Sequence, residues 1–266
     1  MATAFEYQLH PVSEILAGAL MYPAGRIPEL LQGYVKFTGS APDEMAVVGQ
    51  ILPSEQGPRF RMLVGYCGQP SVGNDLLRPL RAPLKPQEDT IKVVSYLEAQ
   101  ATGFPPAPKP FPYFVTSLFL PELSDAAIAA ITTATQDAPR RLRVMIGSFH
   151  GAVTRVRSSD MAFALRQRGY DVEVSSSWSA PQEKASAVRW VNALRDNLQP
   201  FAHGLYVNGL SETNDELVRA AYGPNYARLV EIKKKYDPTN VLRLNQNIQP
   251  GAGPRIIKKR SRSVLR

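Results

Sequence analysis

Short segments in which apolar and polar residues alternate, or in which apolar residues follow one another, recur along the chain. Both patterns are typical of β-strands, the first with one face buried and the second with both faces buried. Residues that favour turns separate the segments. The pattern predicts strands at Ala17–Tyr22, Met45–Leu52, Phe60–Cys67, Phe114–Leu120, Leu142–Phe149, Asp171–Ser176 and Gly204–Asn208.

Between these strands, apolar residues recur with the period of an α-helix. Ser124 is the expected N-cap of one helix, and Ser179 with Gln182 is expected to form a capping box in front of another. The predicted helices are 26–37, 88–99, 124–136 and 181–198.

The order of these elements suggests two rounds of a split βαβ arrangement, one in 17–80 and one in 114–208. Such an arrangement predicts an α+β fold, an antiparallel sheet of about seven strands with helices on one face. The join between the rounds, 82–112, contains seven prolines. We expect one helix and an extended loop there, and the loop could border a pocket.

The composition, 44% hydrophobic and 20% charged residues, is typical of a soluble globular protein. No apolar run approaches the roughly 18 residues of a membrane helix, and the N-terminus lacks the pattern of a secretory signal. Cys67 is the only cysteine in the sequence, which excludes an intramolecular disulfide and argues against a cysteine zinc site. We therefore expect no metal site and no membrane contact, and a cytoplasmic location is favoured.

The formal net charge of +8 is concentrated at the C-terminus. Residues 251–266 contain six arginine and lysine residues and no acidic residue, which leaves about +2 for the rest of the chain. A charge so balanced does not suggest a nucleic-acid-binding surface. We interpret 251–266 as a basic disordered tail, with binding to an anionic partner as the alternative.

Several motifs that would identify an enzyme class are missing from the sequence. There is no G-x-G-x-x-G after a strand, no P-loop, no H-E-x-x-H and no G-x-S-x-G. Without further information, the residues indicate a soluble α+β domain and no particular activity.

Four motifs follow one another near the end of the chain. They are Tyr206-Val-Asn208, Ala221-Tyr-Gly-Pro-Asn225-Tyr226-Ala-Arg228-Leu, Ile232-Lys-Lys-Lys-Tyr236-Asp237-Pro238-Thr-Asn240 and Arg243-Leu-Asn245-Gln246-Asn247-Ile248. In order and spacing they resemble the berberine/berberine-like module of berberine bridge enzyme-like FAD-linked oxidases. Residues 151–178 resemble the substrate domain of the same family, and Phe5–Val12 resembles the last strand that leaves its flavin domain.

The resemblance implies a division of the chain into a last strand of a flavin domain (1–12), a substrate-binding domain (13–204), the berberine-like module (205–250) and the tail (251–266). The family's flavin-binding domain would precede Phe5, and we find no counterpart of it in the sequence. We therefore expect the substrate-binding part of an FAD-dependent oxidoreductase, inactive as an isolated chain. The alternative is a non-enzymatic protein that binds a small molecule or pairs with another subunit.

The chemistry that the resemblance implies is hydride transfer from an alcohol, a sugar or a similar C–H donor to FAD, with oxygen as the final acceptor. Such a reaction needs a base for the substrate hydroxyl. The family's Tyr-x-Asn motif places this role on Tyr206, although a tyrosine here could also simply close the core. Glu173, which faces away from Val172 and Val174 on its predicted strand, is the second candidate, with a solvated sheet face as the alternative.

The remaining candidates would surround the flavin and the substrate. Amide side chains both donate and accept hydrogen bonds, as the edge of an isoalloxazine ring requires; the alternative is that the amide run ties the tail to the sheet. The expected cofactor-binding residues are Asn208, Asn245, Gln246 and Asn247, and the expected substrate-pocket residues are His150, Thr116 and Trp178. The expected partners are a small-molecule substrate and, across an exposed apolar face, a flavin domain in trans or a second copy of the chain.

Overall fold

The computed structural model describes residues 3–8, 11–12, 14–103, 111–212 and 214–251. The strands in these ranges are β1 (Glu14–Met21), β2 (Met45–Leu52), β3 (Arg59–Tyr66), β4 (Glu88–Asp89), β5 (Lys92–Ser95), β6 (Tyr113–Leu120), β7 (Leu142–Phe149) and β8 (Gly169–Ser177). The α-helices are α1 (Ile27–Gly39), α2 (Pro70–Leu76), α3 (Arg78–Arg81), α4 (Tyr96–Gly103), α5 (Asp125–Gln136), α6 (Lys184–Leu198), α7 (Asp215–Tyr222) and α8 (Tyr226–Tyr236).

The eight described strands form one antiparallel sheet in the order β4-β1-β3-β2-β7-β8-β6, and β5 also pairs with β1. Helices α1, α5 and α6 pack against one another and against this sheet. The expected α+β fold is therefore confirmed. Eight described strands stand where about seven were predicted, because β4 and β5 were not predicted and the strand predicted at 204–208 does not form.

The two faces of the sheet differ in composition. On β7, Leu142, Val144 and Ile146 point toward the helices and are buried, whereas Arg143 and Met145 alternate with them on the other side. The buried phenol of Tyr34 in α1 donates to the carbonyl oxygen of Ile146 at 2.8 Å, which joins this helix to the centre of the sheet. We call the side opposite α1, α5 and α6 the open face.

The start of one helix is capped by the predicted residue, and the start of another is capped by a neighbouring residue. The hydroxyl of Ser124 accepts from the backbone N–H of Ala127 at the start of α5. In front of α6, the carboxylate of Glu183 accepts from the backbone N–H groups of Ser179 and Ala180 at 2.8 and 3.2 Å. The capping side chain is thus Glu183, one residue after Gln182, which was predicted to have this role.

The helix predicted at 88–99 is wrong in its first half. Residues 88–95 pair with β1 as the short strands β4 and β5, and α4 begins only at Tyr96. The segment is rich in β-branched residues, which suit a strand, and β1 would otherwise have an unpaired edge. Between β4 and β5, the backbone of Thr90 passes close to Gly18 of β1. A Cβ added to Gly18 would lie 2.6 Å from the carbonyl oxygen of Thr90.

The strand predicted at 204–208 forms only a single bridge, between Gly204 and Phe119. A 3-10 turn, Val207–Gly209, follows it. The described residues of the predicted strand at 5–12 belong to neither a helix nor a strand, and residues 9 and 10 lie outside the described ranges. The basic tail lies almost entirely outside them as well, so its predicted disorder stays a prediction.

The berberine-like segment is tied to the rest of the chain by a buried amide. The side-chain Nδ2 of Asn225, just before α8, donates to the carbonyl oxygens of Ser158 and Met161 at 2.6 and 3.0 Å. These bonds hold the loop after β7 against the start of α8.

Among the described helices, none combines the length and the apolar character that crossing a membrane would require.

Candidate active site

Five side chains form a row across the open face at the centre of the sheet. In the strand register, Arg61 on β3 is paired with Gln50 on β2, Gln50 with Met145 on β7, Met145 with Glu173 on β8, and Glu173 with Ser117 on β6. Residues paired in this way point to the same face, with their side chains side by side. We call these residues the central row.

The next row of the open face contains a hollow. Gly147 on β7 is flanked by Val48 on β2 and Asp171 on β8. A Cβ added to Gly147 would have no neighbouring atom within 4 Å. A flat group could therefore lie directly on the backbone of β7 here, with the carboxyl group of Asp171 beside it.

Both acidic residues of β8 on this face have raised pKa values. Burial raises the pKa of Asp171 to about 6, and the charge of Glu173 adds to this rise, although a hydrogen bond from the Ser117 hydroxyl opposes it. Burial likewise raises the pKa of Glu173, and the positive charge of Arg143 opposes that rise. Perturbed acids that share one face of a sheet are typical of a functional site.

Tyr206 lies next to these acids. Its backbone N–H donates to the Ser117 hydroxyl oxygen at 3.3 Å, and the same hydroxyl donates to Asp171. Its phenol oxygen accepts from the side-chain amide of Asn208 at 2.9 Å. Its ring stands edge-on to that of Phe163, with centroids 5.9 Å apart. The backbone of Tyr206 is therefore brought to the same cluster as Glu173, and its catalytic role stays a prediction.

A close approach of two backbones explains why 204–208 is not a strand. A Cβ added to Gly209 would lie 2.6 Å from the Cβ of Ser117. The chain can approach β6 this closely because residue 209 has no side chain. Tyr206 then donates to the side chain of Ser117 instead of to a strand carbonyl, and the pairing is interrupted.

The amide residues predicted to bind the cofactor lie near this turn but are not equivalent. Asn208 bonds to Tyr206, and the side chain of Gln246 donates to the carbonyl oxygen of Leu210 at 3.5 Å. This bond joins Gln246 to the residue after the turn, and the predicted cofactor role of Gln246 stays a prediction. The side-chain oxygen of Asn247 is buried, and no described residue donates to it. Asn245 is exposed and has a left-handed backbone, with φ of 57°.

The three residues predicted to line the substrate pocket are not brought together. Thr116 pairs with Val174 on the helix-covered face, so it is buried on the side opposite Glu173. Trp178 is part of the main hydrophobic core. The ring of His150, just after β7, hydrogen-bonds to the carbonyl oxygen of Met45, the first residue of β2, at 3.0 Å. The open face, and not these side chains, forms the candidate site.

Sequence reasoning missed Asp171, although a signal was present. It stands two residues before Glu173 on the same strand, and that spacing places both carboxyl groups on one face. Ser117, Gln50 and Arg61 had no such signal, because their place in the same row as Glu173 depends on the strand register.

Comparison with known proteins agrees with this architecture. The model of the berberine and berberine like family matches residues 205–249. An uncharacterized FAD-linked oxidoreductase of Bacillus subtilis is 27% identical over 254 residues, 94% of this chain and 56% of that protein. A chitooligosaccharide oxidase of Gibberella zeae is 28% identical over 114 residues, 40% of this chain and 23% of that protein. The structure of berberine bridge enzyme from Eschscholzia californica matches with a TM-score of 0.77 at 16% identity, over 90% of this chain and 55% of that chain.

The strands and helices define an α+β region with a cluster of polar side chains on its open face. Residues 205–249 match the berberine-like family, and over 94% of its length the chain resembles an FAD-linked oxidoreductase. It spans 56% of the length of the Bacillus subtilis relative.

Proposed function

We propose that this chain forms the substrate-binding part of an FAD-dependent oxidoreductase that oxidises an alcohol or a sugar, with oxygen as the final acceptor. The observation that supports it most directly is the clustering of Glu173, Asp171 and Tyr206 around Ser117 on the open face. A substrate hydroxyl placed there would meet groups able to take and to hold a proton. Bound FAD would supply the hydride acceptor.

Glu173 is the better placed of the two candidate bases. No described residue hydrogen-bonds to its carboxylate, so both oxygens are free to accept from a substrate. Its raised pKa makes it a stronger base than an ordinary glutamate. The phenol oxygen of Tyr206 already accepts from Asn208, which leaves its own hydrogen free to donate to the substrate oxygen. In this proposal Glu173 takes the proton and Tyr206 orients the oxygen.

The residues present fit the flat end of a flavin. The hollow over Gly147 would accept a planar group, since nothing lies within 4 Å of an added Cβ. The buried side-chain oxygen of Asn247 and the exposed amide of Asn208 could bond to the ring edge. We find no built site for the phosphates of FAD in the described residues. Most of the cofactor would therefore be held by another domain.

A second candidate function is pairing with another protein, and one observation favours it. Large apolar side chains are exposed around the end of α8: Tyr236 is 74% exposed, Val241 74% and Leu244 87%. Phe5 and Tyr7, near the N-terminus, are also exposed. Such surfaces favour burial against a partner. A flavin domain, either in trans or from the same polypeptide, and a second copy of this chain are the two partners we propose.

The test is to supply the flavin domain. The coding sequence before Met1 would provide it if the reading frame continues there; otherwise, the flavin domain of the Bacillus subtilis relative would be fused to this chain. Anaerobic bleaching of the flavin is then measured with a panel of alcohols and neutral and acidic sugars. We expect bleaching by at least one compound, with a loss of at least about 100-fold in rate in Glu173→Gln.

One control variant and one contradicting outcome make this test decisive. Glu216→Gln changes an exposed glutamate of α7 and should leave the rate unchanged. A flavin that binds but is bleached by none of the compounds would contradict the proposed oxidation.

A cytoplasmic location is part of the same proposal, supported by the single cysteine, and fractionation of the native cells would test it.

A further inference from the structure

Two arginines lie on the open face, one in the central row and one next to it. Arg61 belongs to the row itself, and Arg143 stands on β7, two residues before Met145 on the same face. Both are partly buried. The charge of Arg143 affects both neighbours: it opposes the rise in the pKa of Glu173 that burial causes, and it adds to burial in lowering the pKa of Arg61.

Neither guanidinium has an acidic partner in the described part of the chain. The bonds of Arg61 go to one neutral acceptor, the side-chain oxygen of Gln50, with its Nε at 2.8 Å. A terminal nitrogen of Arg143 lies 3.1 Å from the sulfur of Met145, which is a weak acceptor. The Nε of Arg143 is buried and has no described partner.

This arrangement is unfavourable without a further group. A buried donor that makes no hydrogen bond destabilises a fold, and the positive charge of Arg143 also disfavours the charged form of Arg61. Glu173 lies on the strand next to Arg143, yet the pair does not come within salt-bridge distance in the described structure. An anion between the arginines would satisfy the free donors and would remove the repulsion.

We propose that Arg61 and Arg143 form a subsite for a carboxylate group, so that the substrate is an acidic sugar or another hydroxy acid. The binding of an anion is inferred from these contacts, and only its identity as the substrate rests on the proposed function. A guanidinium fork matches a carboxylate with two parallel hydrogen bonds, which a neutral hydroxymethyl group cannot reproduce.

The distances along the sheet suit a ligand of sugar size. Arg143 and Gly147 lie four residues apart on β7, a separation of roughly 13 Å along a strand. An arginine side chain spans part of that length. A sugar ring between them would lie over Met145, beside Glu173, with its carboxylate toward the arginines and its opposite end toward the hollow.

The experiment compares D-glucuronate with D-glucose on the 15N-labelled chain. The two sugars share one ring and differ by a carboxylate in place of a hydroxymethyl group. The Nε–H signal of Arg143 is assigned by its loss in Arg143→Met, and each sugar is titrated while that signal and the backbone signals are followed. We expect glucuronate to shift the Arg143 signal and to bind at least about tenfold more tightly than glucose.

Variants separate the subsite from a general effect of charge. Arg143→Met and Arg61→Met should each weaken glucuronate binding at least about tenfold, with backbone spectra confirming that they fold. Arg78→Met removes an exposed arginine of α3 and should have no effect. Equal binding of the two sugars, no binding of either, or glucuronate binding unchanged in both open-face variants would overturn the subsite.

The outcome is independent of the proposed oxidation, because the titration needs no flavin. Glucuronate binding without any flavin bleaching in the completed enzyme would contradict the oxidation and leave the subsite standing. Bleaching by neutral sugars, together with no discrimination in the titration, would contradict the subsite alone.

Discussion

The hydroxyl of Ser117 on β6 donates a hydrogen bond to the carboxylate of Asp171 on β8. The same hydroxyl oxygen accepts the backbone N–H of Tyr206 at 3.3 Å. One small buried side chain thus connects a raised-pKa acid of the sheet to the turn that carries the candidate tyrosine. The open-face cluster depends on this connection between two parts of the chain that are distant in sequence.

Replacing Ser117 by alanine should therefore raise the pKa of Asp171 above its value of about 6. The hydrogen bond from Ser117 favours the charged carboxylate, so its removal favours the protonated form. The measurement is an NMR titration of the Asp171 carboxyl carbon. Ser175→Ala, on the open face of the same strand as Asp171, is the matched control and should leave that titration unchanged. An unchanged or lowered Asp171 pKa in Ser117→Ala would contradict the connection.

Asp171 should also make the stability of the protein depend on pH in a particular direction. The pKa of its carboxyl group is about 6 in the folded protein, above the 3.8 of an ordinary aspartate. The folded state therefore binds more protons than the unfolded state between these values, and stability falls as pH rises from about 4 to about 6. Asp171→Asn should remove this dependence and stabilise the protein at pH 7 by ~1–3 kcal/mol.

Urea denaturation at several pH values between 4 and 7 measures this effect. Asp125→Asn, at an exposed position in the first turn of α5, serves as the control and should retain the fall in stability. If Asp171→Asn retained the same fall, burial of this carboxyl group would not be its origin.

The regular alternation of apolar and polar residues made most of the sheet predictable. Six of the predicted strands correspond to β1, β2, β3, β6, β7 and β8, because each has one face buried under helices. The edge strands β4 and β5 were missed, since a charged sequence such as that around Glu88 gives little alternation. Their pairing is decided by the unpaired edge of β1, which is a tertiary effect.

The candidate site was predictable only in part. Tyr206 and Glu173 were found from the resemblance and from strand alternation, and they lie in one cluster. Thr116 lies on the face opposite Glu173, which the sequence could not show, because the choice between the two faces of β6 depends on its register with β8 and a shift of one residue exchanges them. The same dependence on register hid Arg61 and Gln50, which are far from Glu173 in sequence.

Two glycines of the site should respond in opposite ways to alanine. A Cβ at Gly147 meets nothing within 4 Å, so Gly147→Ala should leave stability unchanged or raise it by up to about 1 kcal/mol. A Cβ at Gly209 would lie 2.6 Å from the Cβ of Ser117, so Gly209→Ala should destabilise the protein by about 1–3 kcal/mol. Thermal and urea denaturation compare the two variants directly.

A larger side chain at Gly147 tests whether the hollow receives a ligand. Gly147→Leu should keep the fold, because its side chain points into the open space, but it should abolish sugar binding and flavin bleaching. Gly65→Leu places the same side chain at another glycine of the open face with space around it, farther from Glu173, and serves as the control. Unimpaired binding in Gly147→Leu would show that ligands do not use the hollow.

The turn after α8 should be sensitive to acid through Asp237. Its carboxylate accepts from the Nζ of Lys233 and from the backbone N–H groups of Val241 and Leu242. These bonds hold the pKa of Asp237 at about 2, with the lysine as the largest cause. Because the folded-state pKa lies below the 3.8 of an ordinary aspartate, the stabilisation is present above about pH 4 and is lost as pH falls toward 2.

Asp237→Asn should remove this stabilisation already at neutral pH. An amide cannot form the ion pair with Lys233, and only one of its two polar atoms accepts hydrogen bonds. We expect faster cleavage of 238–250 by a protease and faster hydrogen exchange at Val241 and Leu242, while the sheet stays protected. Glu231→Gln, which breaks the exposed pair with Lys234 on the same helix, should change neither. Equal protection in both variants would mean that Asp237 does not organise the turn that leads to Asn245–Asn247.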